Sequence, residues 1–495
     1  MTAAVPAPCD GAVAAAADCC RDNRHPTATL AACILGSSLA FVDGSVVNVA
    51  LPALGRDLGA APADLSWAIN AYLLPLGALI LLGGAMGDRY GRRRLFVAGT
   101  GLFLAASLLS ATAPTLGILL LGRALQGAAA ATLMPNSLAL LGAGFSGEAR
   151  GRAIGTWAGF GALAGALGPL LGGWLVDAVG WRVIFLVNLP VGAAAIGIAL
   201  AYVPESRDAR AHGPLDWIGA AAVTLGLALL TWGLTAAADP RAPAAVTPTA
   251  LAFGTALLAA FLWWQVRRGK DALMPLFLMR TPSFAGVTLL TFLLYAALGG
   301  LLVLLPFLLI RIAGYSAVQA GAALLPLPLL IGIGSRAMGQ LTARVGGRWP
   351  LGLGSLIVGA GFLLFLGVDP AGTGDYWRAI FPATLVVGLG LALTVAPLTT
   401  TVMASVGPAH VGAASGFNSA VARIGGLIAT ALLGFVFVEQ MSAAAFTARF
   451  HLAALIGAML AAAAGLSALT LIRTAPALAG TAAPLGTPPA SGNPR

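Results

Sequence analysis

Charge is the scarcest property of this sequence. Only 9% of its 495 residues are Asp, Glu, Lys or Arg, against 59% hydrophobic, and the mean hydropathy is +0.92. No soluble fold of this length keeps such a composition in solution, so the chain reads as an integral membrane protein. Histidine and cysteine are scarce too, with four of each. The histidines are expected in tails or loops. Cys9, Cys19, Cys20 and Cys33 crowd the N-terminal end, which excludes a spaced disulfide framework and a His/Cys metal cluster. There is no Walker loop, so ATP does not drive the protein directly. Nor does either membrane face carry the polar cluster an enzyme needs. No catalytic residue, metal or cofactor is assigned.

What the sequence has in abundance is apolar runs. Crossing ~30 Å of hydrocarbon at ~1.5 Å per residue takes ~20 residues. Runs of that order fall at about 29–52, 66–86, 95–112, 115–141, 153–176, 183–203, 215–236, 248–266, 284–310, 318–341, 350–367, 378–402, 412–437 and 452–472. Between the second and third stands Gly83 to Leu95, GGAMGDRYGRRRL, with Arg89, Arg92, Arg93 and Arg94 within six positions. Positive charge that dense is held on the cytoplasmic side as the chain inserts. Arg150, Arg152, Arg207, Arg210, Arg267, Arg268, Lys270, Arg344 and Arg348 fall in connections on the same side. The other connections hold isolated arginines (Arg56, Arg182, Arg241, Arg378), often beside Asp57, Asp177, Asp239 or Asp375. Both termini are therefore expected in the cytoplasm, with 1–28 and 474–495 as disordered tails. The net charge of +10 reads as topology, which argues against a nucleic-acid partner.

The chain also echoes itself. GQLTARVGGR from Gly339 repeats the plan of GAMGDRYGRR from Gly84, with Arg344 against Arg89 and Gly346 against Gly91. Two related halves of six spans follow, 29–205 and 284–473, with two extra spans in a linker at 206–283. Duplicated halves around a central site are a transporter architecture. GAMGDRYGRR resembles the signature loop of the major facilitator superfamily, with Met86 and Gly87 where the family usually has Leu and Ala. DGSVVNVALP at Asp43–Pro52, LGRALQG at Leu121–Gly127, ALAGALGPLLGG at Ala162–Gly173 and WRVIFLVNLPVG at Trp181–Gly192 resemble its fourteen-helix drug:proton antiporter branch. GYSAVQAG at Gly314–Gly321 and the Asn418, Arg423, Gly425, Gly426 set extend the likeness into the second half. The span-five motif points to antiporters, although Ala164 replaces its leading Gly. In the second-half loop Ala343 replaces Asp88, so any charge relay there is expected to be one-sided.

The residues carry their own physics. Gly87 and Gly91 let the signature loop turn tightly. Asp88, with Arg89, Arg92 and Gly91, is expected to latch the two halves together on the cytoplasmic side. In span five Ala164, Gly168 and Gly172 recur every four residues and admit a close neighbouring backbone. Pro169 interrupts that helix, and with Gly173 the set reads as an antiporter hinge, a packing seam being the alternative. Charges inside spans need a partner or water. Asp43 lies nine residues before Pro52 and Arg123 eight after Thr115, hence ~13 and ~12 Å deep at ~1.5 Å per residue. They stand at one level and are assigned to proton coupling; a purely structural ion pair is the alternative. Asn48, Trp67, Asn70, Tyr72, Gln126 and Arg423 are assigned to the substrate cavity. Arg336 is expected to snorkel, and Glu439 to be solvated.

The expected fold is all-α, two six-helix bundles plus two central helices. The expected function is proton-coupled export of lipophilic compounds across a bacterial inner membrane by alternating access. A lipid or metabolite exporter and a transport-inactive sensor are the alternatives. Partners are small lipophilic substrates, protons and the bilayer; the resemblance also allows a periplasmic adaptor protein. Asp43 is the one carboxylate well inside a span, whereas Arg123, Arg336 and Arg423 are cations there. Neutral or anionic substrates are thus expected over dications.

Overall fold

The computed structural model describes residues 25–473 apart from 61, 146, 208–214, 238–241, 270–271, 275, 370–375, 407–410, 434–435 and 437–441. Both tails, with Cys9, Cys19, Cys20 and Glu439, lie outside the described residues. What is described is all-α, without a strand. The helices are α1 (Pro26–Leu58), α2 (Pro62–Tyr90), α3 (Arg92–Ala111), α4 (Leu116–Gly144), α5 (Gly147–Ala178), α6 (Val183–Tyr202, interrupted at Val187) and α7 (Trp217–Ala237). They continue as α8 (Val246–Arg268), α9 (Pro282–Arg311), α10 (Ala317–Ala323 and Pro326–Val345), α11 (Arg348–Leu364), α12 (Phe381–Ala404), α13 (Val411–Leu432) and α14 (Ala443–Leu471). Thirteen are long and apolar enough to cross a membrane. The other is α13, whose run is diluted by Asn418, Arg423 and its glycines and serines. It packs along α2 and α9.

Two expectations shift. The last helix starts at Ala443, nine residues before the apolar run at 452. Ser442 caps it by accepting from the Ala445 amide (3.2 Å), and polar Thr447, Arg449 and His451 in its first turns hide it from a hydropathy reading. His451 is consequently inside α14 rather than in a loop, with a ring nitrogen 2.8 Å from the Val368 carbonyl. The twelfth span opens with a π-helical turn at Tyr376–Ile380.

The pairings among α1–α6 recur among α9–α14. α1 packs on α5 and α6, α2 on α4, and α3 on α4 and α6; α9 packs on α13 and α14, α10 on α12, and α11 on α12 and α14. The echo between the two loops is also conformational, because Gly91 (φ +117°) and Gly346 (φ +77°) both have positive φ, which glycine adopts without the Cβ clash. α7 and α8 form a hairpin whose α7 lies against α2 and α13.

The two groups of six meet along α2–α13 and α5–α10, and α1 touches α9. A large apolar cluster joins Val46–Leu54 of α1 to Leu301–Leu309 of α9 and to the start of α10. This seals the end that carries the Gly180 and Gly314 turns. Among the described residues α4 and α5 make almost no contact with α12 and α13. On α5, Gly173 and Gly155 share a face, being five turns apart. A Cβ on Gly173 would lie 2.3 Å from the Ala317 carbonyl oxygen, whereas one on Gly155 would meet nothing within 4 Å among the described residues.

Candidate functional site

Asp43 and Arg123 form an ion pair in the interior of the first six helices, and each is only 1% exposed. Arg123 binds one carboxylate oxygen through Nη1. Gln126, one turn along α4, donates to the other at 3.0 Å and accepts from Arg123 Nη1 at 2.8 Å. Arg123 Nε donates to the Ala68 carbonyl at 2.9 Å, and the guanidinium lies over the Tyr72 ring, 4.4 Å from its centroid. Ser107 of α3 accepts from Gln126 at 2.8 Å and from Asn188 at 3.2 Å. Asn188, at the start of α6, also reaches the Asp43 oxygen that Gln126 serves, at 3.4 Å. Five helices thus contribute to one cluster around the ion pair. A buried ion pair is tolerable only with its remaining valences satisfied, and here both carboxylate oxygens have donors. Asn188 and Ser107 were not singled out from the sequence. Asn188 lies within the WRVIFLVNLPVG stretch, so the motif itself was the available signal.

The structure divides the expected cavity residues. Tyr72 is fully buried, and its hydroxyl donates to the Ala40 carbonyl at 3.0 Å. With Gln126 it belongs to the ion-pair cluster rather than to an open wall. Asn70 accepts a hydrogen bond from Thr430 of α13 across the α2–α13 seam. Asn48 is buried, and its side-chain oxygen has no partner. Trp67 is half-buried, one turn before Asn70. Arg423 is half-buried at the same seam. A Cβ on Gly77 of α2 would lie 3.1 Å from its own Cβ, and its guanidinium is 4.0 Å from the Met134 sulfur of α4. No carboxylate lies within 4.0 Å of it among the described residues. The side chains of Arg336, Ala343 and Arg344 lie outside the description.

In the signature loop Asp88 pairs with Arg92, one turn on, at 2.8 Å. Arg89 is exposed over the Tyr90 ring. Glu205, unremarked in the sequence, accepts from the Arg93 and Arg94 amides at 3.0 and 3.2 Å and so caps α3. These contacts stay within the first six helices. No hydrogen bond or ion pair joins Asp88 to the second six helices among the described residues.

In α5, Gly168 and Gly172 face α1, where added Cβ atoms would meet the Ser45 hydroxyl at 2.0 Å and Val46 at 2.1 Å. Ala164 is half-buried on the same helix. Gly173 and Pro169 face α10, where the Pro169 carbonyl oxygen would lie 2.2 Å from a Cβ on Gly321. Pro169 lies inside an unbroken helix. Asp177, four residues beyond Gly173, accepts from the amides of Ala317 (3.3 Å) and Val318 (2.9 Å) in the first turn of α10. A further buried carboxylate, Asp216, caps α7. It accepts from the Gly219 amide (2.8 Å), Trp264 (2.9 Å) and Gln265 (2.7 Å), with Arg268 at 3.2 Å. Burial pushes its pKa up, but these donors and the Arg268 charge outweigh burial and hold it below the usual carboxylate range.

Residues 33–430 match the profile of the Major Facilitator Superfamily. The chain is 33% identical over 428 residues to Multidrug resistance protein Stp of Mycobacterium tuberculosis, covering 85% of this chain and 78% of that one. It is 32% identical to the Tetracenomycin C resistance and export protein of Streptomyces glaucescens (84% and 77% covered) and 35% identical to Puromycin resistance protein pur8 of Streptomyces alboniger (80% and 79%). Among solved structures, the POT family transporter PepTSo superposes with a TM-score of 0.65 at 14% identity, over 90% of this chain and 98% of that one. The inward-open xylose transporter XylE of E. coli gives 0.62 at 14% identity (91% and 97%).

Proposed function

Because the chain belongs to the Major Facilitator Superfamily, and is therefore a multi-pass membrane transporter rather than an enzyme, we propose that it exports lipophilic antibiotic-like molecules in exchange for protons. The observation that carries this reading is the sealed Asp43–Arg123 pair, the one carboxylate deep in the spans among the described residues, held by a guanidinium it can lose. A buried acid holds its proton more tightly when the neighbouring cation moves away. When the Gly180 end opens, water reaches Asp43, its contact with Arg123 loosens, and a proton enters from outside as substrate leaves. When that end closes again, as in this structure, Arg123 and Gln126 re-engage the carboxylate and the proton departs inward. The parting of α4–α5 from α12–α13 supports an inward-facing state, with the Gly91 loop and both termini in the cytoplasm. A reporter active only in the cytoplasm, fused after Arg473, should be active; silence would reverse the orientation.

The relatives named for tetracenomycin C export and puromycin resistance support substrates of that lipophilic kind. Arg423 supports neutral or anionic molecules over dications, since it stands at the interface with no carboxylate within 4.0 Å among the described residues and would repel a second positive charge. Drug accumulation in bacteria lacking their own pumps tests the whole reading. The protein should lower accumulation, and a proton uncoupler should restore it. Export insensitive to the uncoupler would refute proton coupling.

A further inference from the structure

Away from the interface, the second group of six helices encloses a cavity of about 540 Å³ between α9, α13 and α14, floored by Phe362 of α11. Among the described residues its walls are apolar except for Arg449 at the start of α14. The gap has a simple origin, because α13 and α14 both pack on α9 but hardly on each other among the described residues. Gly300 of α9 adds to it, since a Cβ there would meet nothing within 4 Å among the described residues. Leu432, Leu452 and Ile456 line the cavity and are exposed. In a protein of membrane-crossing helices that exposed mouth faces hydrocarbon.

Three fillings compete for such a space. Water needs about two to four polar partners, and this lining offers too few. An empty cavity forfeits the dispersion contacts of every atom in its wall. An aliphatic chain needs no polar partner, is already present at the mouth, and suits a volume within the roughly 300–1,000 Å³ of ligand-sized sites. We infer that the cavity between α9, α13 and α14 is a binding site for the acyl chain of a bilayer lipid. Leu432 and Arg423 are nine residues apart, which places them on opposite faces of α13. The lipid therefore lies behind the helix that presents Arg423 to the first six helices, and it is distinct from whatever occupies that interface.

The full-length protein, reconstituted with a phospholipid carrying a diazirine at the end of one acyl chain, would be irradiated and its peptides mapped by mass spectrometry. Label should concentrate on 292–304, 428–433 and 452–460. Gly300→Leu should lower it there several-fold, while label on the exposed Phe253 face of α8 stays constant. Ala453→Leu serves as an independent filling variant should Gly300→Leu fail to elute as a folded species. Equal labelling of the cavity and the α8 face, with no effect of either filling variant, would overturn the inference. So would displacement of the cavity label by a neutral lipophilic drug, which would assign the space to substrate instead.

Discussion

Gln126 lies 3.0 Å from the Asp43 oxygen that Arg123 leaves free and also accepts a hydrogen bond from Arg123 itself. The amide therefore reads both members of the ion pair, and a proton arriving on Asp43 must disturb all three side chains. Asp43→Asn keeps the size of the side chain but cannot titrate. It should abolish uphill, gradient-driven transport while leaving substrate binding measurable. In proteoliposomes with an imposed pH gradient, accumulation by this variant at the wild-type rate would place the proton site elsewhere.

Arg123→Ala leaves the Asp43 carboxylate buried without its cation, and breaking such a pair costs about 3–5 kcal/mol. Thermal unfolding in detergent should show a large loss. Adding Asp43→Asn to Arg123→Ala removes the stranded charge and should recover much of that stability, though not transport. A double variant no more stable than Arg123→Ala alone would mean that the carboxylate is not the liability.

The helices were legible because each apolar run is bounded by glycine, proline or arginine, and the Asp43–Arg123 encounter followed from depth alone. Other features could not be read that way. α14 begins in polar residues that a hydropathy reading rejects. Asn188 and Ser107 are ordinary residues whose importance lies in what other helices bring to them. Glu205 and Asp216 stand in a connection and at a helix start, where sequence shows a charge but not the amides it caps. Asp88 was expected to bridge the halves, yet in this conformation it pairs with Arg92 only one turn away.

That pairing shapes the next expectation. Asp88→Asn should insert normally, because the arginines that set topology remain, yet transport poorly. Gly91→Val should be worse. Its φ of +117° strains any side chain, and a Cβ would lie 2.8 Å from the Glu205 carboxyl carbon that caps α3; such strain is worth about 1–3 kcal/mol. Wild-type transport by both variants would reduce the loop to a topology signal.

Asp216 should make the α7–α8 hairpin acid-sensitive. Its pKa is lower folded than unfolded, so its stabilisation is fully present above the unfolded value and is lost as pH falls through the folded one. Between pH 5 and 8 the hairpin should be unaffected, and below about pH 4 it should loosen. Hydrogen exchange at the Gly219 and Ala220 amides would report this. Asp216→Ala, which removes the acceptor altogether, should show fast exchange already at neutral pH, and protection indifferent to both acid and substitution would remove the carboxylate from the account.

Asp177 offers the sharpest test of which end is shut. Its carboxylate holds the first turn of α10 at the sealed end of the α5–α10 seam, just beyond the close approach of Gly173 to Ala317. These contacts join the two groups of helices and must break if that end opens. Asp177→Ala removes two charge-assisted hydrogen bonds at an exposed position. The closed state should lose about 1–2 kcal/mol, roughly ten-fold in its population relative to the open one. A cysteine at Leu305, inside the apolar seal, in a background without native cysteines, would report this as faster reaction with a membrane-impermeant thiol reagent added from outside. Asp177→Asn should give a smaller increase, because its amide oxygen still accepts one hydrogen bond. If neither substitution changes the labelling, closure rests on the apolar cluster of α1 and α9 alone, and Asp177 serves only to cap α10.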